Sequence, residues 1–427
     1  MKIWLDVSGL VEWKGNFTGI QRVNYNIAEK LNNSGINYGL FAYDGLFKEV
    51  AFNELKASLM ETNNKDIDNN KFAAKPLNVK KIIYYTLISS KKIAKRLPIE
   101  SQIRSIYNPL RSFYRHFKYR PTKTNKTLFE KNSIIFIVDG NWQFQGYAEK
   151  MIEEKKKVGF KLVHVVQDLI AYKNPALANP GADIIIGDYF KKMFKAADAL
   201  AAISDSTKND IESFLNNYKI NNKPIIYTIT LGADITLKDK KVSAPLKLNL
   251  PKNFVLSVST IEIRKNYLLF YYIYNLANQM NIQLPHLVIV GRKGWMANEA
   301  YSLLTNDPNV NKNITICTNI KDEELTWLYK NCLYTIFPSF YEGWGLPVAE
   351  SLSYGKCCIS SNTSSIPEAG KEFGIYVSPY DPAAFLTQMI RLTDKKNRSK
   401  LEKAIKSYKT VSWDDTLNQM LLITKKL

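Results

Sequence analysis

The sequence predicts an α/β protein built from two parallel-sheet domains. Strand-like apolar runs alternate with helix-period segments along most of the chain, the pattern of layered α/β folds. At 427 residues the chain is long enough for two ordinary domains, each with its own core. A charged, proline-bearing stretch, residues 236–250 (TLKDKKVSAPLKLNL), separates two such sets and reads as a linker. The expected units are 1–235, 251–410 and a terminal helix over 411–427.

In the first unit MKIWLDV is the opening strand. TGIQRVNYNIAEKLNNSG is a helix that stops at Gly35, and INYGLFAY is the second strand. Residues 54–75, rich in Asn, Asp and Lys, read as an insertion loop, and 80–118 as basic helix; together they form a basic insertion over about 54–131. SIIFIVDG is a buried strand, MIEEKKK a helix and KLVHVVQDL a strand. DYFKKMFKAADAL, AAIS and DSTKNDIESFLNNY read helix, strand, helix, with Asp205 or Ser206 as cap. KPIIYTITLGAD closes this half. The second unit runs NFVLSVST (strand), KNYLLFYYIYNLANQM (helix), HLVIVG and ITICTN (strands), DEELTWLYKNC (helix) and LYTIFPS (strand). SWDDTLNQMLLITKKL is an amphipathic helix.

A hydrophobic share of 45% and an aromatic share of 12% place the chain among soluble globular proteins. No run of about 20 apolar residues is present, so no membrane-spanning helix is expected, and the N-terminus has no signal-peptide core. Cys317, Cys332, Cys357 and Cys358 fit no zinc spacing and are expected to be reduced and buried in a cytosolic protein. The net charge of +20 calls for an anionic partner. Between Lys75 and Lys131 fifteen Lys/Arg face two acids, interleaved with aromatic and aliphatic residues. A solvated helical surface and an anionic lipid surface are the two readings; no recognition motif points to nucleic acid.

The chemistry concentrates in Phe337–Gly370, FPSFYEGWGLPVAESLSYGKCCISSNTSSIPEAG. Glu342 and Glu350 stand on either side of Gly343, Gly345 and Pro347. The glycines allow close backbone approach, and Pro347 suits a helix's first turn. The free N–H groups and positive dipole end of that helix would then attract an anion. Two carboxylates beside an anion cradle suit a ligand with phosphates and hydroxyls, such as a nucleotide sugar. Arg264 and Lys265, in VSTIEIRKN, follow a strand where open α/β sheets bind ligands, and could neutralise a diphosphate. Gly291 and Gly294 in VGRKGW permit a tight loop with Lys293 near a nucleotide. Gly19, in Thr18-Gly19-Ile20-Gln21-Arg22, could admit a phosphate, and a plain helix cap by Thr18 reads equally well.

The Phe337–Gly370 segment resembles the C-terminal signature of retaining glycosyltransferases of family 4, which have the GT-B fold: two Rossmann-like domains around a cleft, with a C-terminal helix crossing back. Those enzymes carry a glutamate, seven residues and a second glutamate in an EGFGLP-type setting; here Trp344 stands for the phenylalanine. The resemblance implies an enzyme, a hexosyltransferase that uses a nucleoside-diphosphate sugar and needs neither cofactor nor metal. It implies catalytic Glu342, Arg264 and Lys265, and donor contacts from Glu350, Gly343, Gly345, Leu346, Gly291, Lys293 and Gly19. Gln167, Asp168 and Ser204 would line the acceptor side. Family members often read HDLIP where this chain has Gln167-Asp168-Leu169-Ile170, so a catalytic histidine is not expected. Gln167 can hydrogen-bond a sugar hydroxyl but cannot move a proton at neutral pH. His164, three residues earlier on the same strand, should point to the opposite face as a core histidine.

Glu368, in SSIPEAG, is expected to anchor the turn below the nucleotide in a structural role. Asp66-Ile67-Asp68 is a DxD, the metal motif of another transferase fold, but it lacks a preceding strand and reads as chance. The expected activity is transfer of a hexose, GDP-mannose being the favoured donor, to a lipid-linked glycan in bacterial O-antigen or capsule assembly, at the inner face of a membrane. Rhamnosyl, glucosyl and N-acetylhexosaminyl transfer, and a non-catalytic basic protein, are the alternatives.

Overall fold

The computed structural model describes residues 1–13, 17, 19–64, 127–138, 140–221, 223–233, 242, 244, 245 and 250–427. Thr18, Asp66, Asp68, His116, most of the basic stretch 75–131 and most of the linker 236–250 lie outside the described residues.

The first half contains β1 (Ile3–Asp6), β2 (Tyr38–Tyr43), β3 (Phe47–Val50), β4 (Ile134–Ile137), β5 (Lys161–Val166), β6 (Ala199–Ala202) and β7 (Ile225–Thr228). They form one sheet in the order β3-β2-β1-β4-β5-β6-β7. Every pairing is parallel except the β2–β3 hairpin at the edge. β1 and β4 are buried at every residue, as strands must be when helices cover both faces. Those helices include α1 (Gly19–Asn33), α2 (Phe52–Asn64), α3 (Tyr147–Val158), α4 (Ala182–Ala196) and α5 (Asp205–Asn217).

Three local expectations change. The stretch expected as a loop from residue 54 begins as α2. Phe52, Leu55 and Leu59 recur at helical spacing and bury against the core, which outweighs the polar composition around them. The edge strand β3 was not anticipated, because FKEV exposes its central residues and carries no continuous apolar run. The cap of α5 is Ser204, whose hydroxyl accepts from Thr207 N at 2.9 Å, rather than Asp205 or Ser206.

The second sheet contains β8 (Phe254–Val258), β9 (His286–Val290), β10 (Ile314–Cys317), β11 (Thr335–Phe337), β12 (Cys358–Ser361) and β13 (Ile375–Val377). Its order is β10-β9-β8-β11-β12-β13, parallel throughout. Its helices include α6 (Leu268–Gln279), α7 (Asn298–Asn306), α8 (Asp322–Asn331), α9 (Leu346–Ser353), α10 (Pro382–Thr393) and α11 (Lys395–Ile405). The chain winds outward from β8 through β9 to β10, then restarts at β11 on the other side. That reversal opens a crevice above the carboxyl ends of β8 and β11. All four cysteines are buried and free, with burial pushing each thiol up to about 11 or 12.

The last helix, α12 (Trp413–Thr424), crosses back to the first half. Trp413, Leu417, Met420 and Ile423 bury there, each worth roughly 1.5–3 kcal/mol over exposure. Its polar face is tied down as well. Gly232 N donates to Thr416 Oγ1 at 2.8 Å, Thr416 Oγ1 donates to the Thr230 carbonyl at 2.9 Å, and Lys30 pairs with Asp414 at 2.6 Å. Among the described residues no helix is long and apolar enough to cross a membrane.

Candidate active site

The loops after β8 and β11 are laced together. Beyond β8, a single helical turn, Ile263–Lys265, carries Arg264 and Lys265 and ends at Asn266 in the left-handed region with φ 57°. Beyond β11, Phe340 N donates to the Arg264 carbonyl at 2.9 Å. This backbone tie joins the two loops directly.

Glu342 then receives three donors. Arg264 Nη1 lies 2.5 Å from its Oε2, Lys265 Nζ 2.6 Å from its Oε1, and Ser339 Oγ 2.5 Å from the same Oε1. Burial alone would push this carboxyl up, but Arg264 and Lys265 outweigh it and hold Glu342 at about 2. Arg264 also donates to Glu262 Oε1 at 2.8 Å and to the Tyr341 carbonyl at 2.9 Å. Burial raises the Glu262 and Asp168 carboxyls, against the pull of Arg264. Burial and the neighbouring Arg264 draw the Lys265 ammonium down. Two cations thus sit among three acids, a concentrated field that an incoming anion would meet at the crevice floor.

Glu350 is on α9, one turn in from Gly345, which has φ 113° and begins the helix with Pro347 in the first turn. It is buried, and its Oε2 accepts from Tyr329 OH at 2.8 Å. Its Oε1 accepts from Arg22 Nη1, on α1 of the first half, at 3.2 Å; Arg22 Nη2 lies 3.4 Å from Asp322 Oδ1. In the sequence Arg22 stands only at the end of the stretch that carries Gly19. Its pairing with Glu350, like those of Glu262 and Ser339 with their partners, is a contact that spacing does not announce.

The two halves meet at these loops. Gly19 and Leu346 face each other, the Leu346 methyl lying 3.8 Å from where a Cβ on Gly19 would be. Gly343 abuts the backbone of Gln167 and the Asp168 side chain, and Thr207 Oγ1 donates to the Gly343 carbonyl at 3.3 Å. Tyr341 OH donates to Asp210 at 2.6 Å. Gln167 spends its amide on the Val138 carbonyl at 2.9 Å, and Asp168 accepts from Ile170 N at 3.0 Å. Ser204 serves as the α5 cap.

The VGRKGW loop packs tightly against the β8 loop. A Cβ on Gly291 would fall 1.9 Å from the Ser259 carbonyl, and one on Gly294 2.7 Å from the Thr260 methyl, so close packing against the β8 loop accounts for both glycines. Lys293 rests over the Tyr301 ring at 4.9 Å, while its neighbour Arg292 crosses to Trp13 of the first half at 5.0 Å.

Residues 238–410 match the family described as glycosyl transferases group 1. Among curated proteins, the chain is 26% identical over 178 residues to O-antigen chain mannosyltransferase B of Escherichia coli, covering 41% of this chain and 46% of that protein. It is 28% identical over 260 residues to serotype-specific mannosyltransferase WbdA of Escherichia coli, covering 58% of this chain and 31% of that protein. The matches span less than half the length of these curated relatives. Among solved structures, sucrose-phosphate synthase of Thermosynechococcus elongatus superposes with a TM-score of 0.62 at 16% identity, covering 100% of this chain and 98% of that one. HepE of Anabaena, in complex with UDP and glucose, gives 0.60 at 12% identity over the whole of both chains. The two sheets, the helix that crosses back and the whole-chain superpositions give this chain the GT-B fold, and within it residues 238–410 match the glycosyl transferases group 1 family model.

Proposed function

We propose that this chain moves a hexose, mannose being favoured, from a nucleoside-diphosphate sugar to a glycan acceptor, with retention at the anomeric carbon and without a metal ion. The observation that carries the reading is the convergence of Arg264 and Lys265 on Glu342 at the crevice between β8 and β11. A diphosphate entering there would be neutralised by the two cations as its bond to the sugar breaks, the task a metal performs elsewhere. Glu342 would then turn toward the sugar hydroxyls, while Glu350 takes the ribose and the start of α9 faces the phosphates.

Gln167 and His164 are both engaged elsewhere, Gln167 with the Val138 carbonyl and His164 in the core. This supports a reaction in which the leaving phosphate accepts the acceptor's proton. Closure of the two halves over the donor would exclude water and limit hydrolysis. Mannose as the sugar, and a lipid-linked acceptor in O-antigen or capsule assembly, rest on the mannosyltransferases to which the chain is similar. Attachment to the inner face of a membrane rests on the fifteen cations between Lys75 and Lys131.

The test is a thermal-shift screen of the purified chain against GDP-, UDP- and dTDP-sugars, with and without EDTA. Stabilisation by one nucleotide class, unchanged by EDTA, is expected. Stabilisation that needs a divalent metal, or none at all, overturns the reading. Binding to anionic liposomes at low salt tests the membrane part separately, and its absence removes that part alone.

A further inference from the structure

Glu350 has an environment that its expected role does not explain. It is 5% exposed, and the groups facing it are Tyr329 and Asp322 from α8, Tyr354 at the end of α9 and Arg22 from α1. Among these described groups Arg22 is the one cation. The two tyrosines can offer hydroxyls only, and Asp322 adds repulsion. A carboxylate so enclosed tends toward its protonated form; Arg22 opposes that most, and the Tyr329 hydroxyl adds to it.

We propose that Arg22 is a positioning residue for the donor: from the first half of the chain it keeps Glu350 an acceptor-only carboxylate aimed at the nucleotide's ribose diol, which couples nucleotide binding to closure of the two halves. The proposal rests on the nucleotide-sugar reading above and deepens it. An ionised carboxylate offers about two acceptor sites on each oxygen, so Oε1 can hold the Arg22 N–H and still accept from a hydroxyl. Protonation would turn one oxygen into a donor and remove acceptor capacity from a diol that has two O–H groups to place. The second arm of Arg22, toward Asp322, keeps the guanidinium in place while Oε1 is shared. Because Arg22 and Glu350 belong to different halves of the chain, separation of the halves breaks the pair. Nucleotide affinity is then highest when the halves are closed, and by linkage nucleotide favours closure.

The experiment is calorimetric titration of the purified chain with GDP, with UDP and with dTDP, without sugar, from about pH 5 to about pH 8. The proteins are the wild type, Arg22→Ala, Arg22→Lys, Glu350→Gln and the double variant R22A/E350Q, with melts confirming that each is folded. For the nucleotide that binds, R22A is expected to weaken affinity about tenfold, the usual size of such coupling. The pH below which affinity fades should move upward in R22A, with R22K in between. In the Glu350→Gln background, removal of Arg22 should cost less than about twofold, because the two residues act as a unit. R22K carries the test if R22A does not fold. Affinity in R22A equal to wild type at every pH, or an equal loss with and without Glu350, overturns the proposal and leaves the nucleotide-sugar reading standing. A wild-type chain that binds none of GDP, UDP and dTDP overturns both.

Discussion

Gly343 and Gln167 approach so closely across the two halves of the chain that a Cβ on the glycine would lie 2.0 Å from the Gln167 carbonyl oxygen. The sequence suggests that Gly343 is small in order to admit a ligand. The contact shows a second demand, since the backbone of one half must reach the backbone of the other. Gly343→Ala should therefore push the β11 loop away from residues 167–168 by more than an ångström without touching either core. A displacement of about that size beside the reacting groups can cost on the order of a hundredfold in rate. Sugar transfer should fall by about that factor while the melting temperature changes little, and small-angle scattering should register a more open chain. Full activity in G343A would show that the contact does not govern the site.

The acid limb of stability should report Glu342. Its carboxyl is held at about 2 in the folded chain against an ordinary 4.5. A depressed carboxyl contributes stability that is fully present above the ordinary value and is lost as pH falls through the folded one. The window is therefore about pH 4.5 down to 2, and the contribution is at most on the order of 3 kcal/mol. Glu262 and Asp168 have raised carboxyls in the same cluster and work in the opposite direction, so the whole curve is not diagnostic. The difference between wild type and Glu342→Gln is. Below pH 4.5 the variant should lose less stability than wild type in denaturant titrations; parallel curves would contradict the assignment.

Glu368 caps a helix that is not its own. Its two oxygens accept from Asp205 N at 2.7 Å and Ser206 N at 2.8 Å, at the start of α5 in the other half. A charged acceptor on free N–H groups at a helix start is worth about 1–2 kcal/mol. Glu368→Ala should lower the denaturant midpoint by a corresponding amount, with a smaller loss in Glu368→Gln, which keeps one acceptor oxygen. The difference between the two should shrink in high salt, since it is electrostatic. An unchanged midpoint in E368A would mean that water replaces the cap without cost.

Legibility followed the range of the interactions. β1, β4 and β5 were readable because strands covered on both faces must be continuously apolar. Arg264, Lys265 and Glu342 were readable as candidates because each sits in a short loop that leads from a buried strand to a helix. The pairing of Arg22 with Glu350 was not, because it joins residues 328 positions apart and depends on how the two halves pack. Gly291 and Gly294 marked a tight loop in the sequence, but that the β8 loop is what lies against them was not legible. Local sequence carries no record of which backbone will lie opposite.

His164 provides the last test, because it separates a core histidine from a catalytic one. It is 2% exposed on β5, with Nε2 3.1 Å from Tyr189 OH and its ring against Phe190 and Phe194. Burial lowers it from 6.5 to about 4, so it is neutral in the folded chain and charged in the unfolded chain between those values. The unfolded state then binds the extra proton, so stability is fully present above pH 6.5 and is lost as pH falls toward 4, by at most on the order of 3 kcal/mol. This window lies above that of Glu342, and the two can be measured separately. His164→Phe should flatten the decline between pH 6.5 and 4 and lower overall stability by about 1–3 kcal/mol, because the hydrogen bond between the imidazole and the Tyr189 hydroxyl is lost. The pH dependence of kcat between 6 and 8 should stay as in wild type. If H164F instead removes an ionisation near neutral pH from kcat, the histidine reaches the reaction after all, and the assignment of proton acceptance to the leaving phosphate fails with it.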